Sequence, residues 1–276
     1  MEEKTGLNII YQRYADLVYH VLAHIPLDNA ADEYDAEYVR TMREQLGRSP
    51  AIPEKAAEWY REHFDRVCLI GFMPFVTGGT EECLAALRGY GMMDEADMEH
   101  FALPFFRAVE EEKDAYYAWW EKKQAETEDR KPGAEAGLRE FIRRFDGFFG
   151  HYDRITVILS HSLQRNGRMF MNPGGAFLYL KFPGNEAGME DTRLQLLHEC
   201  THPLTDPKLG NDIRMDDGSH DLAEYQVFLY DEFLIERKAP ELLERYRDWI
   251  GREWLEEARR ALAPERTAML KGMACE

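Results

Sequence analysis

The chain has 276 residues, of which 45% are hydrophobic and 12% aromatic, and this is enough apolar material for one large core or two modest ones. Its formal net charge is −18, so nucleic-acid phosphates and anionic membrane surfaces would repel it. We therefore expect a soluble globular protein that binds neither nucleic acid nor a membrane.

The cysteine content predicts a reducing location. The four cysteines are scattered and show no C-x-x-C spacing, which indicates free thiols. The first residues are acidic and no long apolar run follows them, so neither a signal peptide nor a membrane-spanning segment is predicted. The expected compartment is the cytoplasm, and Cys200 is expected to be a buried structural thiol.

The first 150 residues are predicted to be helical, because apolar side chains recur at intervals of three and four. The predicted helices cover about residues 7–22, 35–46, 53–67, 103–130 and 135–149. The first should end at Pro26, and the aromatic-rich fourth should be the hub of this half. His20 and His24 lie four residues apart, but no carboxylate motif accompanies them, so we interpret them as a surface pair.

Two β-rich runs follow, over residues 155–163 and 176–182. Asn166-Gly167 between them has the composition of a hairpin turn, and the Asn-Pro-Gly-Gly segment at 172–175 has that of a looser turn. The remainder of the chain reads as helices, including two that run from Pro240 to Leu262. The prediction is therefore a small sheet between two groups of helices.

The residues best suited to chemistry are at 198–202, which read His-Glu-Cys-Thr-His. Residues four apart lie on the same face of an α-helix, so His198 and His202 can direct two imidazoles at one point, with Glu199 beside them. Two neutral imidazoles and a carboxylate that accepts a proton from bound water are the elements of a Zn²⁺ site. The pattern arises by chance in roughly a few per cent of such chains, so His198 and His202 can also be ordinary helix histidines that bind no metal.

The helix around this motif is predicted from its flanks. Asp191 or Thr192 can cap its start, and apolar residues at helical spacing follow. Pro203 lacks an N–H and disfavours the α conformation in the residue before it. The helix is therefore expected to end or kink at His202.

A third ligand is expected on a second helix downstream, which Asp217 or Ser219 can cap. The apolar residues of this helix indicate a largely buried element, and they are Leu222, Tyr225, Val227, Phe228 and Leu229. A carboxylate buried there is costly unless it is paired or bound to a metal, and Glu224 fits that description.

Strands followed by a helix with His-Glu-x-x-His resemble the zincin metallopeptidases, in which a small twisted sheet packs beside the metal helix. The resemblance covers about residues 150–240 and implies an α+β, mostly helical fold. It also implies a zinc-dependent hydrolase, most simply a peptidase that acts on peptide or protein substrates, with Glu199 as general base. The strand nearest the cleft, here 176–182, would then pair with extended substrate.

The resemblance leaves the third ligand open. The 21 residues between His202 and Glu224 are close to the interval in zincins whose third ligand is a glutamate. The run from His220 to Glu224 also resembles the family's pattern of a ligand, two residues, alanine and an acidic residue, which would make His220 the ligand and Glu224 its support. Glu232 is a further candidate. A His220 that is not a ligand, or Tyr225, could donate to the developing oxyanion.

Three other interpretations of the motif stay open at the level of sequence. The metal could be purely structural, the motif could be accidental in a helical interaction protein, or the hydrolase could act on bonds other than peptide bonds. The expected organisation is a helical region over residues 1–150 and a zincin-like catalytic region with C-terminal helices over 151–276, which can also form one continuous domain.

Overall fold

The structure, a computed structural model, describes residues 5–27, 36–75, 78–89, 91, 93–163, 167–172, 175–205 and 219–275. Within these ranges helices surround a four-stranded mixed sheet, which confirms the prediction of an α+β, mostly helical fold. The strands are β1 (Gly6–Ile10), β2 (Arg154–Ser160), β3 (Arg168–Asn172) and β4 (Gly175–Lys181). The helices are α1 (Arg13–Leu22), α2 (Ala36–Leu46), α3 (Glu54–Glu62), α4 (Phe64–Val67), α5 (Thr80–Gly89), α6 (Glu95–Asp97), α7 (Leu103–Thr127), α8 (Lys131–Arg144), α9 (Asp146–Phe149), α10 (Glu186–Thr205), α11 (Ser219–Lys238), α12 (Leu243–Ile250), α13 (Arg252–Ala261) and α14 (Pro264–Cys275).

The sheet has the strand order β1-β2-β4-β3, with the first three strands parallel and β3 antiparallel at one edge. The prediction that the first helix begins near residue 7 is wrong, because Gly6–Ile10 pairs with β2 and α1 begins only at Arg13. The apolar residues of this stretch fit a strand period as well as a helical one, and pairing with a buried neighbour decides between them. The regions 1–150 and 151–276 therefore share one sheet.

The hairpin predicted at Asn166-Gly167 is also wrong. Because β2 and β4 run parallel, no tight turn can join them. The hairpin lies instead between β3 and β4, where Asn172 is opposite Gly175, a glycine with a φ of +120°; Asn166 itself lies outside the described residues. Since β4 is hydrogen-bonded to β2 on one side and to β3 on the other, the prediction that it pairs with extended substrate is wrong.

The two faces of the sheet point into two hydrophobic cores. Ile158 and Tyr179 point into a core shared with α1, α5 and α7. Val157, Leu178 and Leu180 point into the other, which is shared with α8, α10 and α11. The long helix α7 lies in the first core with its buried aromatic side chains, as predicted for the hub of this half.

The interpretation of His20 and His24 as a surface pair is wrong for His20, which is fully buried on α1. Its ring stacks on Tyr116 with 4.7 Å between centroids, and its Nδ1 lies 3.2 Å from the Tyr38 hydroxyl. Burial holds the pKa of His20 well below its usual value, with His24 acting in the same direction. His20 is therefore a neutral core residue.

Helix α10 starts earlier and ends later than predicted. Its cap is Asn185 rather than Asp191 or Thr192, since the Asn185 side-chain oxygen accepts a 2.8 Å hydrogen bond from the N–H three residues on. The helix continues two residues past Pro203, so the prediction that it ends at His202 is wrong. A proline removes one backbone hydrogen bond, and in the final turn few further bonds depend on it.

The start of helix α8 and the state of the cysteines can also be compared with the predictions. The segment Lys131-Pro132-Gly133 forms the first turn of α8, where proline is tolerated, so this helix begins at Lys131 and not near residue 135 as predicted. All four cysteines lie in the described part of the chain and form no disulfide bond, and Cys200 is fully buried as predicted. None of the described helices is both long enough and apolar enough to cross a bilayer.

Asp16 on α1 is a fully buried carboxyl group between the helices and the sheet. Its Oδ2 accepts hydrogen bonds from the Trp120 indole at 2.8 Å and from the His161 N–H at 3.2 Å. Burial raises the pKa of Asp16 to about 6, although hydrogen bonds from Ser160, Trp120 and His161 oppose the shift. Between the pKa of the unfolded chain and this value the folded protein binds more protons, so its stability falls as the pH rises.

We expect the free energy of unfolding of the wild type, relative to Asp16→Asn, to fall by up to about 3 kcal/mol between about pH 4 and pH 7, because only the wild type must ionise a buried carboxyl. Urea unfolding of both proteins across this range measures the difference. Parallel stability curves would contradict the assignment of a raised pKa to Asp16.

Candidate metal centre

Helix α10 carries both histidines of the His-Glu-x-x-His motif, and its first half is tied to the sheet. The Thr192 hydroxyl donates a 2.9 Å hydrogen bond to the carbonyl of Lys181, and the Lys181 N–H donates one of 3.3 Å to the Gln195 side chain. Both bonds join α10 to the last residue of β4. The positions of His198 and His202, one to two turns further along the helix, are fixed by this anchor.

His198, His202 and Glu224 come together where α11 packs against α10. One oxygen of Glu224 lies 3.3 Å from His198 Nε2, and the other lies 3.5 Å from His202 Nε2. The two imidazole rings are nearly perpendicular, with 5.0 Å between their centroids. Each residue offers one ligand atom, and these atoms all lie within 4.8 Å of one another.

These spacings fit a tetrahedral metal ion. Bonds of about 2.0–2.1 Å to nitrogen and oxygen place two ligands of a tetrahedron about 3.4 Å apart. The two separations between histidine nitrogen and Glu224 oxygen are near this value but involve different oxygens, and with one ligand atom per residue the three atoms lie within 4.8 Å of one another. All three side chains are partly exposed, at 12% for His198, 23% for His202 and 22% for Glu224. The residues present therefore fit a bound cation with an accessible coordination position.

Asp231 lies behind His198 on the side away from Glu224. The His198 Nδ1 and Asp231 Oδ2 atoms are 3.7 Å apart, and neither has a hydrogen-bond partner among the described residues. The other oxygen of Asp231 accepts a 2.5 Å hydrogen bond from the Thr201 hydroxyl. A carboxylate at this place orients an imidazole so that its opposite nitrogen faces a metal, and it makes that nitrogen more basic.

The charges around His198 compete with its burial. Burial alone would lower the pKa of His198, but the carboxylates of Asp231 and Glu224 raise it, and the net shift is well above the usual value. Burial raises the pKa of Asp231, and His198 and the Thr201 hydroxyl oppose that shift. A positive charge at this point, whether proton or metal ion, therefore stabilises the surrounding carboxylates.

Glu199 is 9% exposed and lies against Gly167, the residue before β3. A Cβ atom added at Gly167 would lie 2.7 Å from Glu199 Cγ and 2.8 Å from its Oε1. Burial raises the pKa of Glu199, while the nearby side chains of His198, His202 and Arg168 lower it. With a Cβ atom at this position the Glu199 carboxyl group would have to move.

Two aromatic side chains cover His198. Phe228 of α11 stacks on its ring at 5.8 Å between centroids, and Trp249 of α12 meets the ring edge-on at 5.9 Å. They leave little room for bulk water beside this imidazole. Electrostatic interactions with a bound cation are stronger in such a place than in water.

The remaining predicted site residues lie elsewhere or outside the description. Glu232 is paired with Arg247 at 2.8 Å and with Arg259, so it is not part of the ligand group. The Tyr225 hydroxyl interacts with Glu257, so the structure does not place it beside the ligand group. The backbone of His220 is in the first turn of α11, but its side chain lies outside the described residues. The roles suggested for His220 therefore stay predictions.

Two features of the site are not predicted from the sequence, namely Asp231 beside His198 and the contact of Gly167 with Glu199. Asp231 lies seven residues after Glu224, which is two helical turns, so the two carboxylates share one face of α11. That spacing was a usable signal once Glu224 had been chosen. Nothing in the local sequence indicates that Gly167 contacts Glu199, because the contact joins separate parts of the chain.

The chain was compared with protein-family models, curated proteins and solved structures, and none matches it. Its function is therefore inferred from its own residues.

We expect Asp231→Asn to weaken the affinity for Zn²⁺ by about 10- to 100-fold, because the amide keeps the shape of the carboxylate but removes the charge that supports His198. Competition with a chromogenic chelator measures the affinity. Glu232→Gln is the matched control, since Glu232 is the adjacent carboxylate and pairs with arginines instead of the ligand group. Equal affinities for wild type and Asp231→Asn would contradict the role of Asp231.

Proposed function

We propose that this chain is a zinc-dependent hydrolase, most simply a metallopeptidase that cleaves peptide or protein substrates. The observation that carries the proposal is the grouping of His198, His202 and Glu224, whose ligand atoms all lie within 4.8 Å of one another. Three protein ligands leave a fourth tetrahedral position for water or substrate, which is typical of catalytic rather than structural zinc sites.

We propose zinc as the metal because both histidines belong to a His-Glu-x-x-His pattern. Two imidazoles and one carboxylate suit Zn²⁺ better than Ca²⁺ or Mg²⁺, which prefer oxygen ligands. When bound, Zn²⁺ lowers the pKa of a water molecule toward neutrality and polarises a carbonyl group. Asp231 keeps the His198 ring oriented for this ion, and Phe228 and Trp249 limit access of bulk water to it.

Glu199 is the proposed general base. It follows His198 directly, and its carboxyl group is buried against Gly167. Burial increases its affinity for a proton, so the carboxylate can accept one from water and return it to the leaving amine. His220 is the remaining candidate for a donor to the oxyanion, because it lies in the first turn of the helix that carries Glu224.

The proposal of a peptide substrate rests on the edge strand β3. No described strand pairs with its outer edge, and the strand begins at Arg168, directly after the glycine that contacts Glu199. An extended peptide that adds to this edge by backbone hydrogen bonds would pass Glu199. In this proposal the substrate pairs with β3 and not with the strand over 176–182 that was predicted from the sequence.

A metal-binding protein without hydrolytic activity is the alternative, and it would use the same three ligands. Metal content and turnover therefore have to be measured on the same preparations. The absence of disulfide bonds among the four cysteines supports our further proposal that the protein works in the reducing cytoplasm.

We expect about one Zn²⁺ per chain in the wild type and in Glu199→Gln, and none in His198→Ala, by elemental mass spectrometry. Turnover of a fluorogenic peptide library should fall about 10²- to 10⁴-fold in Glu199→Gln, because this variant keeps the ligands and loses the base. Zinc without peptide turnover in the wild type would favour the alternative. No zinc above background would contradict the proposal altogether.

We expect Gly167→Ala to reduce turnover strongly while zinc content stays at the wild-type level, because the added methyl group displaces the Glu199 carboxyl group and touches no metal ligand. Gly167 has no positive φ, so backbone strain does not contribute. Gly133→Ala is the matched control, because a Cβ added there meets nothing within 4 Å. Similar turnover in both variants would argue against the placement of Glu199.

A further inference from the structure

A cavity of about 170 Å³ opens at the carboxyl ends of the parallel strands β2 and β4, where the last turn of α7 meets them. Its lining includes Lys123, Arg130, His161, Lys181 and Phe182. Crevices at the carboxyl ends of parallel strands are the usual ligand sites of open α/β sheets. The volume is similar to that of an engineered cavity of about 150 Å³ that holds benzene.

The cavity shares no lining residue with the metal centre. Side chains alternate along β4, so Lys181 projects to the same face as Tyr179, which belongs to the core with α1 and α7. Leu178 and Leu180 project to the other face, toward α10. Phe182, the residue after β4, also belongs to that second core, so the cavity lies at the end of the strands with residues of both faces in its lining.

The lining is cationic in a chain whose formal net charge is −18. Lys181 forms no ion pair with any described residue. Lys123 is 3.7 Å from Glu126, and Arg130 donates a 2.7 Å hydrogen bond to the Gly184 carbonyl. A carbonyl oxygen does not neutralise a guanidinium group, so Arg130 and Lys181 bring two positive charges to the cavity without an ion pair to a described carboxylate. The carboxyl group of Asp16 lies behind the lining residues Ser160 and His161.

The pKa of His161 reflects both its burial and these positive charges. Burial lowers the pKa of His161 to about 4, and Lys123, Lys131 and Arg130 act in the same direction. The ring lies 4.8 Å from that of Phe182, so the cavity combines an aromatic wall with its cations. A positive field beside an aromatic wall suits an anion that carries a small organic group.

We propose that this cavity binds a small organic dianion, of the phosphomonoester or dicarboxylate class, at a site separate from the metal centre. The cationic side chains of Lys181, Lys123 and Arg130 would contact the charged group. The nearby Ser160 hydroxyl would not, because it already makes hydrogen bonds inside the protein. Its oxygen accepts hydrogen bonds from the backbone N–H groups of Ser162 (3.1 Å) and Leu163 (2.9 Å). The site does not depend on the proposed hydrolase activity.

The test is isothermal titration calorimetry of the metal-free protein with inorganic phosphate, phenyl phosphate and succinate, at constant ionic strength in chloride. We expect saturable binding of one molecule per chain for at least one probe. Comparing the phosphates with succinate distinguishes a phosphate site from a carboxylate site. Comparing phenyl phosphate with inorganic phosphate shows whether the aromatic wall contributes to binding. Lys181→Gln and Lys123→Gln should each weaken binding by at least about tenfold, the loss expected for a charge-assisted hydrogen bond.

Lys122→Gln is the matched control, because Lys122 is 77% exposed, is not part of the cavity lining and is also near Glu126, at 3.9 Å. Binding to this variant should stay within about twofold of wild type, since only long-range charge is removed. No saturable binding of any probe, or equal weakening by Lys122→Gln, would overturn the proposal. Binding lost in His198→Ala but kept in Lys181→Gln would also overturn it, by placing the anion at the metal centre.

Discussion

The packing of α11 against α10 is the contact on which the metal centre depends. Glu224 comes from α11 and both histidines come from α10, so their meeting requires one rotational setting of each helix. Turning α11 by one residue would move Glu224 by about 100° around the helix axis, away from the histidines. The hydrogen bond from Thr201 to Asp231, at 2.5 Å, and the stacking of Phe228 on His198 oppose such a rotation. One buried hydrogen bond and one aromatic contact thus help to set the register of the two helices.

The sheet supports this helix pair, and its strand β4 also lines the cavity. Lys181 contributes to both places, because its backbone groups anchor Thr192 and Gln195 of α10 while its side chain lines the cavity. The antiparallel edge strand β3 adds Gly167 at its start, and this glycine leaves room for Glu199. A short four-stranded sheet therefore positions the proposed base, the metal helix and the anion-binding side chains.

The structure places His198, His202 and Glu224 together, as expected from the sequence, because local geometry suffices there. The spacing of His198 and His202 needs only a helix to bring them together, and the cost of burying a carboxylate pointed to Glu224. Prediction from sequence failed where pairing is non-local. Strands β1 and β3 are five residues each, too short for their apolar pattern to distinguish a strand from a helix or loop, and both are defined by their neighbours in the sheet. The same limit applies to Asp231 and Gly167, whose roles come from contacts between separate elements.

We propose that His198, His202 and Glu224 bind zinc with one position left for water. X-ray absorption spectroscopy at the zinc edge of the wild-type protein tests it most directly. The account predicts a four-coordinate nitrogen and oxygen shell at about 2.0–2.1 Å, with the multiple scattering of two imidazoles and no sulfur. A sulfur shell near 2.3 Å, which would implicate a cysteine such as Cys200, would contradict it, as would scattering from fewer than two imidazoles.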